Sequence, residues 1–340
     1  MAKAVKDVTE DPFKKLLDQL NSKYGKGTII NGKDLPEEFE VVPSGSLGLD
    51  IATNINGIPI GKLIEMFGPE SSGKSTMALH FIAEFQKSGR RAMLVDSEQS
   101  FDKQYATAVG VKVDDLLYSQ PECLEDAYNI METVIKSQQV GLIIFDSHTS
   151  CVPRKIVDGE VGDATMALAV RVNSTALAKL HQILSANKVT MVGISQIRQN
   201  IGGYGDPNVT TGGLAWKFYS DMRFKVAKQV DKANDQNKTT VDVIKNKCGA
   251  PFGKAEFMIK WGEGVDRQQE LIDLAVELKL IDLGGAGWYT LKDGSDTKLQ
   301  GDKKLKEFFA DNPDYAKMIE TKVFEEIKPK HESKDKEAIA

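Results

Sequence analysis

The chain has 340 residues, 41% hydrophobic and 27% charged, and its 44 Lys and Arg against 49 Asp and Glu leave a formal net charge of −5. That is room for about two domains of roughly 150 residues with a large buried core, and the composition is that of a globular chain. The balance excludes a uniformly basic coat for nucleic acid but not a local one, since Lys217 to Lys260 carries ten Lys or Arg against five Asp or Glu.

The opening MAKAVKDVTEDPF has no apolar signal segment, and apolar runs such as Leu142–Phe145 are too short to span a bilayer. Cys123, Cys151 and Cys248 stand far apart without a CxxC pair. This speaks against a disulfide framework or a zinc site and points to a reducing cytosol. From Pro12, Phe13, Leu16, Leu17 and Leu20 fall at helical spacing. The helix stops near Gly25 and Gly27, and Thr28–Ile30 follows as a short strand candidate. The apolar face of that helix needs cover, from this chain's own core or from a neighbouring subunit.

Between Gly61 and Gln196 short apolar strands alternate with helices. The strands are Leu63–Phe67, Ala92–Asp96, Leu142–Asp146 and Val189–Ser195; the helices include Lys74–Gln86, Leu124–Lys136 and a long one from Ala164 to Asn187. Such alternation predicts βαβ units and a mainly parallel sheet covered on both faces. After Lys217, Arg223–Val230, Thr240–Ile244 and Ala255–Trp261 alternate polar and apolar and read as an antiparallel extension. Past Gly262-Glu263-Gly264 lies a small α/β unit: a helix through Leu271, Leu274 and Leu278, a strand Trp288–Leu291, a turn at Asp293-Gly294, and helices to about Ile327. The tail from Lys328 is polar.

Gly68-Pro69-Glu70-Ser71-Ser72-Gly73-Lys74-Ser75 fits the phosphate-loop pattern G-x-x-x-x-G-K-[ST], with a strand before it and a helix after it. Its backbone N–H groups can cradle a polyphosphate, Lys74 can reach the β- and γ-phosphates, and Ser75 can ligate Mg²⁺. Asp146 closes an apolar strand and suits the acidic partner of that metal, although an Asp there also serves as a helix cap or turn former. Asp96-Ser97-Glu98 closes a second strand on the same edge. Glu98 can polarise an attacking water, or be a plain surface carboxylate. A third strand ends in Ser195-Gln196, whose amide can bond the γ-phosphate. Beyond it Arg198 to Gly213 holds five glycines and Tyr204. It reads as a long loop without structure of its own, either a nucleic-acid contact in which Tyr204 inserts among bases or a mobile surface segment. The same choice stands for Arg154–Asp163.

These residues closely resemble the bacterial RecA recombinase family. Gly68 to Lys74 looks like the family's own phosphate-loop variant. Asp96-Ser97-Glu98 through Asp102 and Tyr105, Gln196-Ile197-Arg198, Thr210-Thr211-Gly212-Gly213, Lys217-Phe218-Tyr219, Lys245-Asn246-Lys247 and Ala250-Pro251-Phe252 follow in collinear order, and the match runs from about Phe13 to Phe324. The resemblance implies an α/β fold: a RecA-type P-loop NTPase core with a mainly parallel twisted sheet, an antiparallel extension, an N-terminal helix and strand appendage, and a small C-terminal α/β domain. The divisions expected are 1–34 for polymerisation, 35–266 for the ATPase core with its DNA-binding loops, 267–327 for the C-terminal domain, and 328–340 for a flexible tail.

By the same resemblance Glu98, Lys74 and Gln196 are catalytic. Gly68 to Thr76 with Asp102 and Tyr105 bind ATP, and Lys245, Lys247 and Phe218 reach ATP of the adjacent subunit. Arg171, Ser174, Arg198, Tyr204, Gly212 and Gly213 lie at DNA, and Ser75 and Asp146 hold Mg²⁺. The implied activity is a DNA-dependent ATPase that forms ATP-gated helical filaments on single-stranded DNA, pairs it with homologous duplex and exchanges strands in the cytoplasm. A damage-response repressor and loader proteins are further expected partners, and no membrane is involved. Two rivals share the core: a ring-type helicase, distinguished by closed hexamers under the microscope, and a non-catalytic ATP-gated DNA scaffold, distinguished by lack of turnover. The sequence departs from the family at Ser195, where Asn is usual, at Tyr204, where Phe is common, at Ala178, where Arg is frequent, and at Gln99, where His is frequent. Its tail, with four Lys against three Asp or Glu, is not strongly acidic.

Overall fold

A computed structural model describes residues 11–25, 28–35, 38–160, 166–199, 208–210, 213–232, 234–292 and 297–327, with backbone alone at 166, 198–199 and 208–210. The chain forms two compact units, Met1–Phe39 and Glu40–Ala340.

In the first unit Asp11 accepts a hydrogen bond from Phe13 N and Pro12 takes the first turn, which together start helix α1 (Pro12–Tyr24). Gly25, at φ 110°, ends it. No residue of α1 is buried, and Phe13 and Leu16 are about half exposed, at 52% and 48%. The strand expected at Thr28–Ile30 does not form. The Asn21 side chain takes up the backbone of Ile29 instead, donating to its carbonyl (2.8 Å) and accepting from its N–H (3.0 Å). A three-residue segment has no ladder without a partner strand.

The second unit opens with β1 (Val41–Val42), α2 (Leu47–Ala52) and β2 (Ile58–Pro59). It continues through β3 (Leu63–Gly68), α3 (Lys74–Lys87), β4 (Ala92–Asp96), α4 (Lys103–Val109), β5 (Leu116–Ser119), α5 (Leu124–Ser137), β6 (Leu142–Asp146), α6 (Arg154–Val157), α7 (Met166–Ala186) and β7 (Thr190–Gln199). Then come β8 (Asn208–Thr210), α8 (Ala215–Tyr219), β9 (Met222–Asp231), β10 (Gln236–Asn246), β11 (Lys254–Lys260) and β12 (Gly264–Val265). The chain closes with α9 (Arg267–Glu277), β13 (Ile281–Leu283), β14 (Trp288–Leu291), β15 (Lys298–Gln300), α10 (Asp302–Asp311) and α11 (Pro313–Glu326).

The large sheet runs β12-β11-β10-β9-β3-β7-β6-β4-β5. From β5 to β9 all pairings are parallel, and from β9 to β12 all are antiparallel. Strand β9 therefore belongs to both parts, where the sequence suggested a purely antiparallel addition. Every residue of β3, β4 and β6 is buried, because helices cover both faces. Successive side chains enter opposite cores: Ile64, Leu94 and Ile144 pack with Met77, Phe81 and Phe85 of α3, whereas Leu63, Met93, Ile143 and Phe145 pack with the α5 and α7 side. The carboxyl ends of β3, β4, β6 and β7 are level, with Gly68 opposite Gln196 and Asp96 opposite Asp146.

Arg198 does not begin a loop. Strand β7 runs on to Gln199 and pairs antiparallel with β8, Ile197 opposite Thr210, so part of the expected loop is a β-ribbon. The span Arg154–Asp163 likewise opens with a short helix, α6. Helix α7 begins at Met166; residues 161–165, Asp293-Gly294 and the tail from Lys328 lie outside the described residues.

The C-terminal elements form a third core, centred on Leu271, Ala275, Tyr289, Leu305 and Val323, which Leu47 of α2 enters. Beside Leu47, Glu270 Oε1 accepts from Ser46 Oγ (2.7 Å) and Gly48 N (3.1 Å), and Asp50 accepts from Ser44 N (2.7 Å). Burial pushes the Asp50 and Glu270 carboxyls each up to about 7, against the pull of those hydrogen bonds and of Arg267. A carboxyl that holds its proton more tightly folded than unfolded makes the native state less stable as pH rises across that gap. This junction is expected to lose stability from about pH 4.5 to pH 7, by up to about 1.4 kcal/mol per pH unit for each carboxyl, and to level off above. Urea midpoints taken across the range check the slope, and Glu270→Gln should lessen it by about half.

Candidate active site

The phosphate loop joins β3 to α3. Gly68 must be glycine because a Cβ there would lie 2.1 Å from Val226 O of the neighbouring strand. Gly73 turns the chain into α3 in the left-handed region, φ 98°, ψ 9°. Lys74 is buried, and its Nζ donates to Gly68 O (3.1 Å) and Pro69 O (2.7 Å). Burial pulls its pKa down, while Asp146, Glu98 and Glu70 pull it back up. Ser71 to Thr76 line a cleft of about 470 Å³ with Asp102 and Tyr105. Asp102 caps α4, accepting from Gln104 N and Tyr105 N, and Tyr105 OH meets Thr76 Oγ1 at 2.9 Å.

The opposite wall of the cleft was not foreseen. Asn237, Ile259, Trp261 and Gly262 come from β10 and the end of β11, whose register sets Asn237 opposite Ile259. Trp261 precedes the quoted Gly262-Glu263-Gly264, but nothing in its alternating strand signals which edge of the sheet it reaches.

Ser75 Oγ donates to Asp146 Oδ2 at 2.7 Å. Burial raises Asp146 to about 6; the Ser75 hydrogen bond opposes this, and the nearby Glu98 and Asp96 carboxylates add to it. A hydroxyl beside a carboxylate crowded by two other carboxylates fits a divalent cation, whose charge would relieve the crowding. Asp96 itself is occupied: it accepts from the N–H groups of Glu98, Ser100 and Phe101 and from Tyr118 OH, all within 3.1 Å, and so folds the turn that presents Glu98. Glu98 Oε1 accepts from Ser147 Oγ (2.6 Å), Ser150 Oγ (2.8 Å) and Gln196 Nε2 (2.8 Å). The two residues proposed for water activation and γ-phosphate sensing are thus bonded to each other, with serines from the segment after β6 that the sequence reading had not assigned to the site.

Lys245, Lys247 and Phe218 line no part of this cleft. Lys245 Nζ donates to Lys217 O (2.8 Å) and Phe218 O (3.1 Å), Lys247 pairs with Asp221 at 3.3 Å, and Phe218 is 65% exposed. Burial and the neighbouring Lys247 and Arg223 charges lower the Lys245 pKa. Lys245 pairs with Arg223 and Asn246 with Met222, which sits beside Ile64. The lysines therefore lie toward the amino end of β3, Lys245 level with Glu65 and Lys247 level with Leu63, about 10 and 16 Å along the strand from Gly68 at ~3.3 Å per residue. On α7, Arg171 and Ser174 are exposed, and Gly213, at φ 88°, packs against Val170, the residue before Arg171. The side chain of Arg198, and Tyr204 and Gly212, lie outside the described residues.

Among the described residues no helix is long and apolar enough to cross a membrane. A strand–glycine loop–helix cradle, a Ser–Asp pair and a positioned Glu along one carboxyl edge define a P-loop nucleoside triphosphatase. The chain matches the RecA N-terminal domain over residues 12–266 and the RecA C-terminal domain over residues 269–328. It is 42% identical over 318 residues to Protein RecA of Salinispora tropica, covering 92% of this chain and 90% of that one. It is 42% identical over 321 residues to that of Porphyromonas gingivalis, with 92% and 93% covered. Against that of Levilactobacillus brevis it is 40% identical over 323 residues, with 93% and 85% covered. The chain belongs to the RecA family; it is a nucleotide- and DNA-binding, DNA-dependent ATPase of recombination and repair.

Proposed function

We propose that the nucleotide is ATP with Mg²⁺ and that the chain assembles on single-stranded DNA as a helical filament that pairs it with homologous duplex and exchanges strands. The observation that carries this reading is the Glu98 carboxylate, held by Ser147, Ser150 and Gln196 beside the phosphate loop. In that reading the loop amides and Lys74 grip the triphosphate, and the base lies between Tyr105 and Trp261 with Asp102 at its edge. Ser75 and Asp146 would hold Mg²⁺, which supplies charge neutralisation on the phosphates. Glu98 draws a proton from the attacking water, and the Gln196 amide exchanges its bond to Glu98 for one to the γ-phosphate. Arg171, Ser174, Arg198, Tyr204, Gly212 and Gly213 contact DNA. Sequence specificity then resides in base pairing.

The chain divides for these tasks into 1–34, 35–266, 267–327 and 328–340, with the α1 helix docking on a neighbouring copy. The compartment is the cytoplasm, and a damage-response repressor and loader proteins are the further partners. ATP hydrolysis measured with and without single-stranded DNA tests the reading: stimulation supports it, and equal rates overturn it.

The position of Lys245 and Lys247 at the far edge of the sheet supports a site completed by two copies. A Lys245→Ala, Lys247→Ala chain mixed with a Lys74→Ala chain is then expected to regain part of the DNA-stimulated turnover that each lacks alone. No recovery at any mixing ratio would mean that each copy hydrolyses ATP unaided.

A further inference from the structure

A buried polar chain lies behind the Glu98 clamp and has no part in the chemistry above. Ser147, one arm of the clamp, is followed by His148; Gln196, the other arm, is preceded by Ser195. His148 Nε2 is hydrogen-bonded to Ser195 Oγ, and His148 N donates to Ile194 O (3.2 Å). Ser195 Oγ also reaches Glu65 Oε1 (3.0 Å), and Glu65 Oε2 accepts from Arg223 Nε (2.5 Å). His148, Ser195, Glu65 and Arg223 are all buried. A hydroxyl has one proton, and the carboxylate takes it, so the His148 ring is the donor to Ser195. Its Nδ1, which meets no hydrogen-bond partner, is then the unprotonated nitrogen.

The other face of the His148 ring system is equally committed. It stacks on Trp216 of α8, with ring centroids 4.4 Å apart and planes 11° off parallel. Trp216 is fully buried and the outer part of its indole abuts Gly193 of β7, where a Cβ would come 2.1 Å from the ring. Helix α8 ends in the Lys217 and Phe218 carbonyls that hold the Lys245 ammonium. A continuous packed route therefore leads from Gln196 through Ser195, His148 and Trp216 to Lys245.

We propose that His148 is a positioning residue that fastens the sensor end of β7 to helix α8, so that the state of the Glu98–Gln196 clamp in one copy sets the placement of the Lys245 ammonium offered to the next. It rests on the trans role of Lys245 given above. A shift of Ser195 that accompanies a new Gln196 partner drags the imidazole. The imidazole cannot slide without moving Trp216, because the indole is wedged against the Gly193 backbone. The route is separate from the β7–β8 ribbon, which leads away from the sheet.

The test uses the full chain with saturating single-stranded DNA and compares His148→Phe, Ser195→Ala and the double change. Phe keeps the stack on Trp216 and removes the donor. Each single change is expected to lower DNA-stimulated kcat about tenfold, the worth of one hydrogen bond, with KM for ATP unchanged and the Hill coefficient for ATP falling toward one. The double change should be no worse than either single, because both break the same link. A His148→Phe chain with unaltered kcat and Hill coefficient, or losses that multiply in the double, overturns the proposal. Should His148→Phe fail to fold, Ser195→Ala carries the test by the same kcat and KM criteria. If the unaltered chain shows no DNA-stimulated turnover, the function proposed above falls and the relay with it; if it is stimulated and the His148→Phe chain equally so, the relay alone falls.

Discussion

Replacing Glu98 by Gln is expected to cut ATP turnover by about 10²- to 10⁴-fold, the usual contribution of a positioned general base, while ATP and DNA still bind. The expectation follows from which atoms the clamp uses. Ser147, Ser150 and Gln196 all donate to Oε1 of Glu98, and a Gln side chain keeps a carbonyl oxygen that can accept the same three bonds. What is lost is the negative charge that takes a proton from water. Single-turnover hydrolysis together with binding isotherms for ATP and an oligonucleotide separates the two effects. Turnover within a few-fold of the unaltered chain would remove Glu98 from the chemistry.

Lys74→Ala is expected to weaken ATP binding by about 100-fold, since truncating one member of a buried charge pair costs several kcal/mol. Nucleotide-dependent assembly should go with it. Thermal stability should not, because burial already disfavours this ammonium, whose only hydrogen-bond acceptors in the loop are the Gly68 and Pro69 carbonyls. Calorimetric titration with ATP and a melting curve check the pair of outcomes. Unchanged affinity would make Lys74 a brace for the loop and nothing more.

The strands that carry the site were legible because they are buried on both faces. Leu63–Gly68, Ala92–Asp96 and Leu142–Asp146 are short apolar runs bounded by turn residues, and each ends at or just before a residue of the candidate site. Level carboxyl edges follow from parallel pairing, so the sequence alone gathers Lys74, Glu98, Asp146 and Gln196 on one side. What the sequence could not convey depends on long-range register. Trp261 and Asn237 reach the nucleotide cleft only because β10 and β11 pair with Asn237 opposite Ile259, and alternation alone does not choose that pairing. Strand β7 runs past Ser195: three of the four residues Gln196 to Gln199 are polar, yet the segment pairs in a ribbon, and polar residues outside the core look like loop. Asp96 accepts from three backbone N–H groups and from Tyr118, and so shapes the turn that presents Glu98, a task that a one-dimensional pattern does not reveal.

Lys245 and the phosphate loop occupy opposite ends of the same parallel strands, and that separation constrains how copies can join. In the proposed filament the lysines of one copy meet the triphosphate of the next in one direction only, a head-to-tail contact that leaves an unmatched surface at each terminus. A row of n copies completes n − 1 shared sites. In that assembly the terminal copy with the open triphosphate would lack its lysine donors, so the two termini would differ in how fast they hydrolyse and shed a subunit. In that proposed assembly directional growth would follow from the register of β9 and β10.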